Sequence, residues 1–424
     1  MKINRIAAAA SAVAASALVL TSCAGGGGGA AEPPSDGEIG GTLTGIFAAP
    51  FKDTYEQIAT AFEEKYPGVT VDFNYQGGDI GQLVMTQLQG GTAPDVLTSF
   101  PGGDPEDNGD LVAALAAQGH IAPLDASWAD QIPTGWERDF TYDGQVFAYP
   151  GAFQPLTSIY NKTKLDELGL SAPETLDEVL QLCADATEAG VHAYSQPLGD
   201  AASGPQMLTY AQVGSLVYGP DPDFDAKLKS GETTYPDSAW VDQFEIYQEM
   251  SDAGCFGDGA LGRAPEQAQS EVAAGNALAL VHVGGSLPGI KSSGPDNEYL
   301  IAPMPAANEG DTLMVALPGY VTTVNAKAKN PATAQAFLDF LGEPEISAIY
   351  AEGFQSVPVL PNDQYSAPAE LTEFAAAVEA GTIVHLGTVQ AEVQSTLNQQ
   401  LQAMLLGDTT PEGVAESMQN ALQQ

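Results

Sequence analysis

The sequence predicts an α/β fold built as two lobes, and three observations support this prediction. The chain has 424 residues, which is more than one hydrophobic core normally organises. Hydrophobic residues make up 44% of it, as in a globular protein rather than a disordered acidic chain. Segments with strand and helix periodicity alternate near the start of the folded region, which is typical of a parallel sheet covered by helices.

The first elements follow from hydrophobic spacing. Residues 43–47 are strand-like, and the next segment is helical because four apolar residues share one face: Phe51, Tyr55, Ile58 and Phe62. Pro67 and Gly68 end that helix. Period-two alternation then indicates a second strand, carried by Val69, Val71, Phe73 and Tyr75. A helix over 82–88 and a strand beginning at Val96 continue the alternation.

Residues 149–151 (YPG) break one strand and precede another in which Leu156, Ser158 and Tyr160 alternate. We therefore expect the chain to leave one lobe there and enter the other. Helices are predicted over 240–253 and 332–341 and at the end of the chain, where Val393, Leu397, Leu401 and Met404 share a face and Thr410-Pro411 starts the last helix. Thr175 and Glu178 form a capping box for one more helix, with Leu176, Val179, Leu180 and Cys183 pointing inward.

The N-terminus has the features of an export signal. Lys2 and Arg5 precede an uncharged run over 6–20 that is too short to span a bilayer stably. Residues 20–23 (LTSC) resemble the lipobox of bacterial lipoproteins, which implies removal of 1–22, acylation of Cys23 with palmitate-type chains, and attachment to the extracytoplasmic face of the cell membrane. A signal with an incidental cysteine is the alternative. The Gly- and Pro-rich segment 23–38 is expected to be a flexible tether, and no transmembrane helix is expected in the mature chain.

Charge excludes several kinds of partner. The chain has 13 Lys and Arg against 55 Asp and Glu, for a net charge of −42. Removing residues 1–22 takes away two cations and no acids, so the exported form lies near −44. Such a surface repels phosphate backbones and anionic headgroups. We expect no nucleic-acid partner, and membrane contact through the lipid alone.

Cys183 and Cys255 remain as an even pair in an oxidising compartment. A disulfide between them and two separate buried thiols are both compatible with the sequence, because their distance cannot be read from it. The position of Cys183 on the apolar face of its helix favours the thiols.

Motifs for catalysis and metal binding are weak. The sequence lacks G-x-S-x-G, P-loop and H-E-x-x-H motifs, and its four histidines are widely spaced. Residues 257–262 match G-x-G-x-x-G but follow a helix, so we interpret them as a loop. Residues 221–232 place acids at four EF-hand positions, but Ala226 replaces the turn glycine. We interpret this segment as a solvated acidic loop, with calcium binding left open, and expect no cofactor, no metal and no enzyme activity.

Several ordered segments resemble the family 1 extracellular solute-binding proteins of ABC importers, which include the maltose-binding proteins. The resemblance lies in residues 62–71 (FEEKYPGVTV), 93–96 (APDV), 119–125 (GHIAPLD), 146–162, 275–280 (GNALAL) and 319–341. It implies a two-lobed fold of the periplasmic-binding-protein type II, with a cleft and hinge crossings between the lobes. The implied lobes are 39–152 plus 321–362 and 153–320 plus 363–424.

The resemblance also implies a function. A monomer would capture a carbohydrate, most simply an oligosaccharide, and deliver it to ABC permease subunits by lobe closure. A neutral ligand fits the charges, because only Arg138 and Arg263 follow residue 22 and neither lies in a stretch expected at the mouth of the cleft. A lipid-anchored glycoside hydrolase and a surface adhesion module are the alternatives.

Eight ligand-binding residues are implied by the resemblance: Phe47, Gln76, Phe100, Asp104, Gln154, Gly285, Ser286 and Tyr320. Sugar binders of the family often carry tryptophan near the position of Ser286 and an acid near that of Gln154, so the identity of the sugar stays open. Ordinary packing is the alternative role for each residue.

Overall fold

The computed structural model describes residues 37–78, 80–106, 109–200, 204–305, 310–387, 389 and 391–422. The proposed signal over 1–22, Cys23 and the tether up to residue 36 lie outside the described residues.

The strands of the described residues are, in chain order, β1 (Gly41–Ala48), β2 (Val69–Gln76), β3 (Val96–Ser99), β4 (Thr141–Tyr142), β5 (Gln145–Val146), β6 (Ala148–Tyr149), β7 (Ala152–Asn161), β8 (His192–Tyr194), β9 (Ala277–Val283), β10 (Tyr299–Ala302), β11 (Val315–Pro318), β12 (Val321–Val324), β13 (Val357–Pro358) and β14 (Val384–His385).

The α-helices of the same residues are α1 (Lys52–Lys65), α2 (Ile80–Gly90), α3 (Val112–Ala117), α4 (Lys162–Leu168), α5 (Leu176–Glu188), α6 (Gly204–Val213), α7 (Phe224–Ser230), α8 (Trp240–Asp252), α9 (Pro265–Ala273), α10 (Leu287–Ser292), α11 (Pro331–Leu341), α12 (Pro344–Gly353), α13 (Thr372–Ala380), α14 (Ala391–Leu405) and α15 (Pro411–Ala421). None is both long and apolar enough to cross a membrane, as far as the described residues go.

The first lobe contains a sheet of order β2-β1-β3-β12-β6. Strand β1 runs parallel to β2 and to β3, which confirms the parallel sheet predicted from the alternating elements. The predicted inward face of α1 is buried through Tyr55, Ile58 and Phe62. The later strand β12 returns to this sheet and pairs antiparallel with β3 and β6.

The second lobe contains a sheet of order β14-β11-β7-β9-β8, and β10 and β13 also pair with β7. All ten residues of β7 are buried. The alternation seen in its sequence therefore separates two packed faces rather than a buried face from a solvated one. Together the two sheets give the predicted two-lobed α/β fold.

Helix α5 departs in detail from its prediction. Thr175 accepts the backbone N–H of Glu178 (3.2 Å), as a capping box requires, but the Glu178 carboxylate accepts the N–H of Glu174 (2.8 Å) instead of that of Thr175. Val179 and Cys183 are buried as predicted. The rest of the buried face consists of Leu182 and Ala186, because the helix rotates Leu176 and Leu180 to its half-buried edge.

The two remaining cysteines form a disulfide, Cys183–Cys255, with the Cα atoms 4.7 Å apart. The bond joins α5 to the segment that follows α8. The alternative of two separate buried thiols, which the position of Cys183 favoured, is therefore wrong.

The acidic segment over 221–232 is not a loop. Helix α7 occupies its middle, and both carboxylate oxygens of Asp221 lie 2.8 Å from the ammonium of Lys227. A helix cannot wrap its side chains around one cation as an EF-hand loop does. Within the described residues, no group of three or more His, Cys, Asp or Glu could hold a metal ion.

The segment 257–262 is a loop, as predicted, with a short 3₁₀ turn over Ala260–Gly262 that follows α8.

Candidate functional site

Three segments of backbone cross between the two sheets side by side. The first crossing joins β6 to β7, the second joins β11 to β12, and the third runs from α12 into β13. The N–H of Gly319 donates to the carbonyl of Ala152 (3.0 Å), and the N–H of Val359 donates to that of Gly151 (3.2 Å). Strand β13 also pairs with the start of β7. The three crossings therefore form one strap at the junction of the lobes.

Gly151 is required by the close approach of the first two crossings. Its φ is +66°, and a Cβ atom there would lie 2.9 Å from the carbonyl oxygen of Tyr320 and 3.2 Å from the hydroxyl of Tyr350. That hydroxyl in turn donates to the Tyr320 carbonyl (2.9 Å). Only glycine tolerates both the backbone angle and the contact.

An aromatic surface lies beside the second crossing. We call the half-buried rings of Phe51, Phe100 and Tyr320 the aromatic wall. The ring of Tyr320 lies 5.0 Å from that of Phe100 and 5.9 Å from that of Phe51, measured between centroids. Phe51 stacks at 3.7 Å on the buried ring of Phe354. The wall is therefore supported from behind, and its faces can pack against weakly polar C–H groups.

An amide lies at the first crossing. Gln154 is only 8% exposed, and its side chain fills space that two glycines leave open. A Cβ atom on Gly319 would come within 2.6 Å of Nε2 of Gln154, and one on Gly285 within 3.2 Å of its Oε1. The structure thus brings Gln154, Gly285 and Tyr320 together around the crossings. An amide both donates and accepts, so it can pair with hydroxyl groups.

Ser286 is engaged within the second lobe. Its hydroxyl lies 2.7 Å from Nδ1 of His282 on β9. Burial lowers the pKa of His282 to about 4. The imidazole is therefore neutral at pH 7 and forms a polar but uncharged pair with Ser286.

Three other predicted residues are placed differently. Phe47 has no exposed surface, and its ring stacks on Tyr55 at 3.8 Å in the core of the first lobe. Gln76 ends the edge strand β2, where its amide contacts Asn74. Asp104 forms an ion pair with Lys229 of α7, and this ammonium lowers the pKa of the carboxyl below its ordinary value. The structure does not bring these residues to the crossings.

The two arginines have different roles. Arg263 is buried in the second lobe, where it pairs with Glu271 (2.8 Å) and donates to the carbonyl of Phe256 (3.0 Å). Arg138 contacts His385 of β14. Arg138 therefore reaches the second sheet through His385, and the expectation that neither arginine lies in a stretch at the mouth of the cleft stays a prediction.

Phe51 and His282 were missed by sequence reasoning. The sequence assigns Phe51 only to the apolar face of α1, although the residue ends the short turn that joins β1 to that helix. Its position after the end of a buried parallel strand was a usable signal, because ligand sites of open α/β sheets lie at the carboxyl ends of strands. The sequence held no comparable signal for His282.

Comparison with known proteins gives a consistent result. Residues 48–348 match the family described as bacterial extracellular solute-binding protein. The melibiose/raffinose/stachyose-binding protein MelE of Bacillus subtilis is 23% identical over 308 residues, which cover 71% of this chain and 69% of MelE. The multiple sugar-binding protein of Streptococcus mutans is 23% identical over 296 residues, covering 68% of this chain and 67% of the relative.

Solved structures share the fold. The solute-binding protein RafE in complex with raffinose superposes with a TM-score of 0.73 at 19% identity, over 89% of this chain and 98% of RafE. A chitin oligosaccharide binding protein superposes with a TM-score of 0.74 at 18% identity, over 90% of this chain and 98% of the other.

Proposed function

The chain belongs to the bacterial extracellular solute-binding proteins, and on this premise we propose that it captures a neutral oligosaccharide between its lobes and delivers it to an ABC permease. The observation that carries the proposal is that Tyr320 of the aromatic wall directly follows Gly319, which packs against the Gln154 amide at the crossings. Rings that pack on C–H faces and an amide that pairs with hydroxyls are the two kinds of group that a sugar requires.

In this proposal Phe100 and Tyr320 pack against sugar rings, and Gln154 pairs with hydroxyls. Gly285, which has no side chain, leaves room for the Gln154 amide, and its backbone would contact the ligand. Gln76, Ser286 and Asp104 would contact outer parts of a longer ligand, and Phe47 would support the wall from the core. Raffinose, stachyose and chitin oligosaccharides occur in the names of related proteins. These names support an oligosaccharide as the ligand.

The mechanism would be closure of the lobes about the three crossings. The lobes are proposed as 39–152 plus 321–362 and 153–320 plus 363–424. A ligand that contacts both lobes binds the closed form better and so shifts the population toward it. The closed monomer then presents both lobes to the permease. No covalent step is required in this mechanism. We therefore propose that the protein binds its ligand and is not an enzyme.

Attachment to the membrane is proposed to occur through acylated Cys23 on the extracytoplasmic face. Acyl chains contribute about 0.8 kcal/mol per buried CH₂, so two or more chains would hold the protein firmly. The segment up to residue 38 would act as the tether.

Thermal shift and product analysis test the proposed function. The chain is incubated with raffinose, stachyose, xylotriose, chitotriose and, as an anionic comparison, glutamate. We expect Tm to rise with at least one neutral oligosaccharide and chromatography to recover that sugar unchanged. Cleaved sugar would support the hydrolase, and absence of any shift would support the adhesion module. A shift with glutamate alone would contradict the ligand class.

A pair of glutamine variants tests the site. Gln154→Leu should weaken binding of the responding sugar by roughly 10-fold or more, because the sugar hydroxyls lose their partner. Gln57→Leu changes an exposed glutamine on α1 and should leave the affinity unchanged. Equal affinities of the two variants, measured by calorimetry, would exclude Gln154 from the site.

A further inference from the structure

The loop over residues 100–104, which we call the cleft loop, is attached to the second lobe at two places. It starts at Phe100, next to β3 in the first lobe, and ends at Asp104. The first attachment is the ion pair between Asp104 and Lys229 of α7. Lys229 is 70% exposed and Asp104 is 26% exposed, so water screens this pair.

The second attachment runs through Asp139. The N–H of Gly102, in the middle of the cleft loop, donates to the backbone carbonyl of Asp139 (2.8 Å). The Asp139 carboxylate lies 2.7 Å from Nε2 of His385. His385 belongs to β14, which pairs with β11 in the second sheet. Asp139 therefore links the cleft loop to the sheet of the other lobe.

The contacts of His385 define its hydrogen bonding. A guanidinium nitrogen of Arg138 lies 2.5 Å from Nδ1 of the ring. Arginine can only donate, so Nδ1 accepts and Nε2 carries the proton that it donates to Asp139. The ring also lies 4.5 Å from that of Trp136, between centroids. Orientation of the imidazole is thus set from three sides.

Burial makes the second attachment the stronger one. The side chains of His385 and Asp139 are 17% and 5% exposed, far less than those of the Asp104–Lys229 pair. A hydrogen bond to a carboxylate that is largely removed from water is stronger than an exposed ion pair.

We propose that the Asp139–His385 bond is a latch that holds the two lobes together, with the Asp104–Lys229 pair as a weaker second contact. His385 and Asp139 are positioning residues: they need not touch the ligand, and they set the fraction of molecules that is closed before a ligand arrives. A ligand that requires the closed form binds with an apparent Kd equal to the intrinsic Kd divided by that fraction. The assignment of the two residues to different lobes and this effect on affinity rest on the proposed function.

Small-angle X-ray scattering of the ligand-free full chain tests the latch. His385→Phe retains a ring against Trp136 but cannot donate to Asp139, whereas His385→Gln retains an N–H donor. We expect a larger radius of gyration for His385→Phe and a value closer to wild type for His385→Gln. Asp139→Asn is the second disrupting variant, and circular dichroism checks that each variant is folded.

The matched control is Glu343→Gln, which breaks the Lys65–Glu343 ion pair inside the first lobe. Its scattering should equal that of wild type. Folded His385→Phe and Asp139→Asn variants whose scattering also equals that of wild type would overturn the proposal.

Affinity for the responding sugar provides the second measurement. We expect His385→Phe to weaken binding roughly 10-fold and Asp104→Asn roughly two- to fivefold, with Glu343→Gln unchanged. A wild-type affinity for His385→Phe would contradict the latch. If no sugar binds the wild-type chain, the proposed function fails and the scattering comparison still decides the latch.

Discussion

Asp95 ties three segments of the first lobe together through one buried carboxylate. Its oxygens accept the N–H (3.0 Å) and hydroxyl (2.7 Å) of Thr44 on β1. They also accept the backbone N–H groups of Lys329 (2.6 Å) and Asn330 (3.0 Å), just before α11. Asp95 thus joins parts of the lobe that are far apart in the chain.

Replacing Asp95 should therefore destabilise the first lobe. Asp95→Ala leaves one buried and three part-buried donors without this acceptor, and we expect a loss of about 3 kcal/mol in the free energy of unfolding. Urea denaturation measures the loss. Asp72→Asn, which alters an exposed acid on β2, is the control and should stay within about 0.5 kcal/mol of wild type. A similar small effect of Asp95→Ala would contradict this role.

His282 should make stability depend on pH. The histidine of the unfolded chain takes up a proton near pH 6.5, whereas the folded pKa is about 4. The contribution is fully present above pH 6.5 and is lost as pH falls toward 4. Between pH 7 and 4.5 we expect wild type to lose about 2 to 3 kcal/mol more than His282→Gln. Parallel pH profiles of the two proteins in urea denaturation would refute the assignment.

At the scale of elements, the disulfide constrains α5 and the segment after α8. It closes a loop of 72 residues, and a chain-entropy estimate for such a loop is about 4 kcal/mol. The double variant Cys183→Ser/Cys255→Ser should lose stability up to that amount in urea denaturation, because its unfolded state is less restricted. Adding a reductant should lower the stability of wild type and leave the double variant unchanged. An equal response of both would show that the bond contributes little.

Elements were predictable where one face is buried and the other is solvated. The burial of β2 alternates along its length, so period two was visible in its sequence. Strand β7 was also predicted from alternation, but it is buried on both faces, and its sequence did not show which distant strands pair with it. The prediction of a loop over 221–232 was wrong for another reason. The acids have the spacing of a calcium-binding loop, but the segment forms helix α7 and Asp221 pairs with Lys227.

The residues of the candidate site were also predictable only in part. The family resemblance assigned Gln154, Gly285 and Tyr320 to segments near the crossings, and the structure places them there. The pairing of Asp104 with Lys229, which lies 125 residues away, and that of Asp139 with His385 depend on how two lobes approach each other. Local patterns contain no information on that approach.

For the whole molecule, the dominant property is a net charge of −42. Carboxylates far outnumber cations, so mutual repulsion opposes the compact state. Salt shortens the range of that repulsion to about 10 Å at 0.1 M and about 3 Å at 1 M. We expect Tm to rise by roughly 2 °C or more between 10 mM and 500 mM NaCl. Differential scanning calorimetry in NaCl and KCl measures the effect, and a flat or falling Tm would contradict it.

The return of β12 to the first sheet has a consequence for biosynthesis. Strand β3 has no neighbour on one side until residues 321–324 arrive, long after the rest of that sheet has been synthesised. A nascent chain thus carries an incomplete first sheet while residues 153–320 are being made. Premature termination before residue 321 would leave an open strand edge, which is a substrate for aggregation and for quality-control proteases.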